Sequence, residues 1–75
     1  MAETRINCLY DNCPIPLLKA MQQLKKMSVG DTLVIETDHS CAMVNFIEWT
    51  QKNSIPCEIV EVDNGEWEII LRKVK

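Results

Sequence analysis

The side chains of this 75-residue chain with the most reactive chemistry are four cysteines, Cys8, Cys13, Cys41 and Cys57, and one histidine, His39. Cys13 stands in the most specific setting, the stretch "DNCPIPL" over residues 11–17, where Pro14 and Pro16 follow it directly. Proline breaks a helix interior but suits the first helical turn, where its missing N–H has no intrahelical partner and its fixed φ matches helix entry. With Cys13 as N-cap and Pro14 as first helical residue, the prolines stiffen the turn and leave the N–H groups of Ile15 and Leu17 as donors near the sulfur. The positive end of the helix dipole favours the thiolate. The chemistry this setting offers is that of a nucleophilic thiolate, and the same field stabilises a persulfide anion. The plainer alternative is a small buried cysteine followed by ordinary helix-start prolines.

Around Cys13 stand the other candidates. Cys41 follows "DHS" at the start of a second helix; as a resolving thiol it would convert an adduct on Cys13 to a disulfide, and otherwise it is an ordinary helix-start cysteine. His39 would assist proton transfer at Cys13 or, with Cys8, Cys13 and Cys41, hold zinc. Cys-x₄-Cys with His-x-Cys is not a zinc spacing, so no metal is expected. An exposed histidine without a role is the bland reading. Asp38 or Ser40 could cap the second helix, with Asp38 expected to do so, and Lys19, on the helix after Cys13, either steers an anionic substrate or is a solvated face residue. Cys8 and Cys57 lie in strand-like runs and are expected in the core. The Cys-x-x-Cys of thioredoxin-like oxidoreductases is absent. A cysteine hydrolase would need a positioned base and an oxyanion site, for which one histidine is thin support.

The elements that must position these groups follow from periodicity. Residues 5–10, "RINCLY", read as a strand. From Pro14, the residues Leu17, Met21, Leu24 and Met27, with Ala20 alongside, recur at three- and four-residue spacing, an amphipathic helix that Gly30-Asp31 ends. "TLVIET", residues 32–37, is nearly continuous in apolar residues, as in a strand buried on most of both faces. A second helix enters at "DHS", turns Met43, Phe46 and Ile47 inward with Val44 adjacent, and ends near Asn53. "IPCEIVEV", residues 55–62, reads as a strand with Pro56 near its start. Asn64-Gly65 is a hairpin signal, and "WEIILR", residues 67–72, puts Trp67, Ile69 and Leu71 on one face.

The order β-α-β-α-β-β, with no linker or repeat, implies one domain over residues 1–75. Two helices are too few to cover both faces of a four-stranded sheet. The expected fold is therefore α+β, a two-layer α/β sandwich with both helices on one face of a four-stranded mixed sheet. Right-handed crossovers then bring both helix N-termini to one edge of the sheet, which would bring Cys13 and Cys41 together. A hydrophobic fraction of 47% supports a packed globule. The net charge of −3, with no basic run longer than Lys25-Lys26 before the short C-terminal Arg72-Lys73-Val74-Lys75, argues against direct nucleic-acid binding. No apolar run approaches a membrane span, and the N-terminal stretch has no apolar signal region, so the expected compartment is the cytoplasm, with the cysteines as thiols.

"CPIP" after a short strand, then a helix, Gly30-Asp31, a strand ending in Asp38 and a terminal hairpin, resembles the TusA/SirA-like sulfur carriers over essentially the whole chain. The resemblance implies that Cys13, with Pro14 and Pro16 as motif prolines and an acidic residue at Asp38, accepts sulfane sulfur as a persulfide and hands it on by transpersulfidation. It implies no cofactor, a sulfur donor (thiosulfate or a persulfide-bearing protein) and an acceptor protein. Many members carry Gly-Leu-Arg before the cysteine, where this chain has Tyr10-Asp11-Asn12. The missing arginine points away from the branch that feeds tRNA thiolation, which stays as the alternative. It is similar instead to the YeeD-like branch, which accompanies a YeeE-type thiosulfate-uptake membrane protein. Readings of another class are a non-catalytic interaction or regulatory domain, and a redox switch through a Cys13–Cys41 disulfide.

Overall fold

The computed structural model describes residues 2–9 and 15–74. The elements run β1 (Glu3–Cys8), α1 (Ile15–Lys26), β2 (Thr32–Thr37), α2 (Ser40–Lys52), β3 (Cys57–Asp63) and β4 (Glu66–Arg72). They form one sheet in the order β1-β2-β4-β3. β1 is parallel to β2, while β4 runs antiparallel to both β2 and β3. The helices pack against each other and over the sheet, so the mixed four-stranded, two-layer α+β sandwich expected from the element order is the fold observed. No helix among the described residues is long and apolar enough to cross a membrane.

Strand alternation builds the core. Cross-strand pairing places Ile35 between Ile6 and Ile69, and Leu33 beside Leu71. These meet Ala20, Leu24 and Met27 from α1 and its exit and Phe46 from α2. β2 is central, and Val34 is buried as well as Leu33 and Ile35, which accounts for its unbroken apolar run. On the opposite face Arg5 reaches across three strands. Its Nη1 lies 2.9 Å from Glu68 Oε2 and 3.5 Å from Glu36 Oε1, and its Nε lies 3.4 Å from Glu3 Oε2. Glu36 and Glu68 are cross-strand partners, a like-charge juxtaposition that the guanidinium between them offsets. The bond to Glu68 and its charge hold Arg5 still more firmly protonated.

Several boundaries differ from the periodicity. The first strand begins at Glu3 rather than Arg5, because parallel pairing with β2 runs from Glu3 opposite Thr32. The third strand starts at Cys57, after Pro56, which cannot donate to a ladder. Ile47 does not turn inward: it is 40% exposed, and the buried stripe of α2 is Ala42, Phe46 and Thr50. Helical spacing allows either, since Ile47 is four residues from Met43 and Thr50 is four from Phe46. Thr50 fits inside because its hydroxyl donates to the Phe46 carbonyl at 2.7 Å.

Two turns hold the far end of the molecule together. Gly30 takes φ 97, a left-handed conformation that glycine adopts without a Cβ clash. Its N–H donates to the Lys73 carbonyl at 2.8 Å, and Asp31 accepts from the N–H groups of Ala2 and Ser28 at 3.0 Å each. At the end of α2, Ser54 adopts φ 56, its N–H donates to the Gln51 carbonyl and the Ile55 N–H donates to the Thr50 carbonyl. That bond pair is a Schellman motif with serine where glycine is usual.

Candidate functional site

β1 and β2 end in register, Cys8 opposite Thr37, and each strand leads towards a helix. The chain is described up to Leu9 and again from Ile15, the first residue of α1, while α2 starts three residues beyond Thr37. One edge of the sheet therefore carries the exits of both parallel strands and the entries to both helices. Each helix entry presents N–H groups without intrahelical partners and the positive end of a dipole. Neither helix has an acidic residue in its first turn to offset that field. An anionic sulfur at this edge would meet an electropositive setting.

Cys13 and Pro14 lie outside the described residues. Pro16 is in the first turn of α1 and fully buried. Its ring packs inward at a position where the lost N–H costs nothing, so it anchors the turn in the core. Ile15 stays exposed beside it. Cys8, the last residue of β1, is 1% exposed and belongs to the core, as expected.

At the entry to α2 the arrangement departs from expectation. Asp38 does not cap the helix. The N-cap is His39, with extended backbone angles and no side-chain capping bond. The Asp38 carboxylate instead lies 2.8 Å from His39 Nδ1. That nitrogen is buried and its approach to the carboxylate is not hydrogen-bonding in geometry, so the contact acts through proximity of charge when the ring is protonated. Thr37, fully buried, supplies the local bond: its hydroxyl accepts the His39 N–H at 3.2 Å. This contribution was not singled out from sequence, although Thr two residues before the helix entry is the signature of such a turn. Cys41 sits in the first turn of α2 and is exposed. Lys19 is exposed on α1. Thus Pro16, Asp38, His39 and Cys41 gather at one edge of the sheet, and no cluster suited to a metal occurs among the described residues.

Cys57 belongs elsewhere, partly buried in β3 against the core. Burial pushes its thiol up from the ordinary value of 9.0, against a smaller opposing effect of the Thr50 hydroxyl. That is the behaviour of an inert structural cysteine.

Comparison with known proteins agrees with this architecture. Residues 4–73 match the family described as sulfurtransferase TusA. A protein named as a candidate sulfur carrier in Methanocaldococcus jannaschii is 23% identical over 97% of each chain. One so named in Archaeoglobus fulgidus is 36% identical over 84% of this chain and 86% of its own. The crystal structure of a SirA-like protein from Desulfitobacterium hafniense has the same fold, with a TM-score of 0.86 and 23% identity over 96% of this chain and 99% of that one. Matched from the first strand to the last and built on the same fold, this chain belongs to the TusA/SirA-like family of sulfur carriers.

Proposed function

We propose that Cys13 is the sulfur-bearing residue and that the protein relays sulfane sulfur as a persulfide. The observation that carries this reading is the family match, which spans Cys13; the convergence of two helix entries with no acidic residue in their first turns on the adjoining edge of the sheet supports it. In the loading step the Cys13 thiolate attacks the outer sulfur of a donor persulfide, or the sulfane sulfur of thiosulfate. The S–S bond breaks, and a donor thiolate or sulfite leaves with the electron pair. In the unloading step an acceptor thiolate attacks the outer sulfur of the Cys13 persulfide and Cys13 leaves as thiolate. Neither step requires a cofactor or a net redox change. His39 would take up or return a proton at the edge, and Lys19 would draw an anionic donor towards it.

Donor and acceptor must both dock beside the sulfur. The helix layer presents exposed apolar side chains for this purpose, Ile15 and Leu18 on α1 and Val44 on α2. Thiosulfate as donor, delivered by a YeeE-type membrane protein, agrees with Tyr10-Asp11-Asn12 before the cysteine. Relay into tRNA thiolation is the alternative route. Exposure of Cys41 on the same edge favours one second reading, a Cys13–Cys41 redox pair.

Intact mass after incubation with thiosulfate or a persulfide-charged protein separates these readings. A gain of one sulfur atom, lost in Cys13→Ser, is the expected result. Loss of two hydrogens requiring both Cys13 and Cys41 would establish the redox pair. No change with any donor would leave an interaction domain. Val44→Glu is expected to slow loading from a protein donor by about tenfold while loading from thiosulfate is unchanged, since charge in an apolar contact impairs docking alone.

A further inference from the structure

A concavity lies at the opposite pole from the helix entries. β4 runs antiparallel to β2, pairing Arg72 with Thr32 and Trp67 with Thr37. The Arg72 end is thus roughly 17 Å along the strands from the Thr37 edge. There a groove of 430 Å³ opens between the last turns of both helices and the exit of β4. Met21, Leu24, Trp49 and Ile55 form its apolar wall. Ile55 is set beside α2 by the Schellman turn at Ser54, and Asn53 Nδ2 donates to the Trp49 carbonyl at 2.8 Å. The wall is therefore built by backbone geometry.

The charged residues that line it, among those described, all have one sign. Lys25, Arg72 and Lys73 line the groove, and no described lining residue carries a carboxylate. In a chain with eleven acidic and eight basic residues, three cations on one apolar groove run against the overall charge. Lys73 is held in place by donating from Nζ to the Leu24 carbonyl. A groove in the size range of small-molecule sites, ~300–1,000 Å³, apolar within and with a few convergent polar groups, is the usual form of a ligand pocket. We propose that it binds a small anion with an apolar body, an acyl carboxylate in class, whose chain lies along Trp49 and Ile55 and whose head group meets Lys25 and Arg72. An extended polymeric polyanion is disfavoured, because the sheet face bearing Glu3, Glu36 and Glu68 would repel it. The site is independent of Cys13 and of sulfur transfer.

Decanoate below its micelle concentration is the probe, with decanol as the uncharged control and amide NMR spectra of the full chain as the readout. The expected result is saturable binding with shifts centred on Trp49, Asn53 and Ile55 and none at Thr37 or Cys41. Decanol should bind about tenfold more weakly, because it forgoes charge-assisted hydrogen bonds, and raised salt should weaken decanoate alone. Lys25→Gln with Arg72→Gln, both exposed residues, should weaken decanoate by a similar factor and leave decanol unchanged. Equal affinity for both probes, shifts spread over the surface, or indifference to the double substitution would overturn the proposal. So would concentration-dependent shifts of Trp49 without ligand, which would mean that a second copy of the chain covers the groove.

Discussion

Cys41 and Cys57 carry the same thiol in different surroundings. Cys41 is exposed in a helix first turn, whereas Cys57 is partly buried and its thiol is pushed up by desolvation. Alkylation by iodoacetamide, read peptide by peptide at slightly alkaline pH, should modify Cys41 about tenfold faster, since rate follows thiolate content and access. The raised thiol also has a consequence for stability. The native state keeps the Cys57 proton where the unfolded chain has lost it, so its stabilising contribution is complete below 9.0 and is lost as pH rises through the higher native value. Thermal melts above 9.0 should fall less steeply in Cys57→Ala than in wild type. Asp31 behaves in the opposite sense. The Ala2 and Ser28 N–H groups hold its carboxyl below the usual 3.8, so its contribution is present above 3.8 and disappears as acid protonates the native carboxylate. Asp31→Asn should melt lower than wild type at neutral pH and converge with it in acid.

At the scale of elements, α2 has a strong centre and a strained end. Phe46 is fully buried in the core that joins α2 to the sheet. Truncation to alanine is expected to cost about 3–5 kcal/mol. That approaches the whole stability of a small domain, about 5 kcal/mol at the low end, so urea titration of Phe46→Ala should show a midpoint moved close to zero denaturant and a measurable unfolded population before any is added. Ser54 is the reverse case. Its positive φ of 56 places a Cβ in the left-handed region, which costs a non-glycine residue about 1–2 kcal/mol. Glycine would relieve this but lose more entropy on folding. Ser54→Gly is therefore expected to raise the urea midpoint by the equivalent of about 0.5–1 kcal/mol, without changing the slope of the transition. The first turn of α1 illustrates a different economy, in which a buried Pro16 seats the helix where no backbone donor is needed.

Across the whole molecule the sheet separates two kinds of surface. One face is covered by the helix layer, and the other is bound by Arg5 bridging β1, β2 and β4. Removing that cation leaves Glu36 directly opposite Glu68. Arg5→Gln should lower the melting temperature at low salt, and the difference from wild type should shrink as salt screens the carboxylates. A change independent of salt would mean that Arg5 acts through packing of its stem over Val34. The two poles are equally distinct. Helix entries gather at one, with His39 and Cys41, while cations and apolar side chains gather at the other.

Much of this was legible along the chain. Helix periodicity in residues 17–27, the unbroken apolar run of β2 and the Asn64-Gly65 turn are local or near-local signals, and with the element order they dictate a two-layer sandwich. "CPIP" likewise carries its chemistry in adjacent residues. What depended on tertiary structure involved choices between neighbours or between distant segments. Sequence spacing cannot decide whether Ile47 or Thr50 faces inward, because Ile47 is four residues from Met43 and Thr50 four from Phe46, and the choice rests on how α2 rolls on the sheet. Nor does it decide whether Asp38 caps a helix or turns to His39, since both are short reaches from one backbone position. Arg5 meets Glu68, and Lys25 shares a groove with Arg72, only because β4 returns between β2 and β3 and brings the end of the chain back against its beginning.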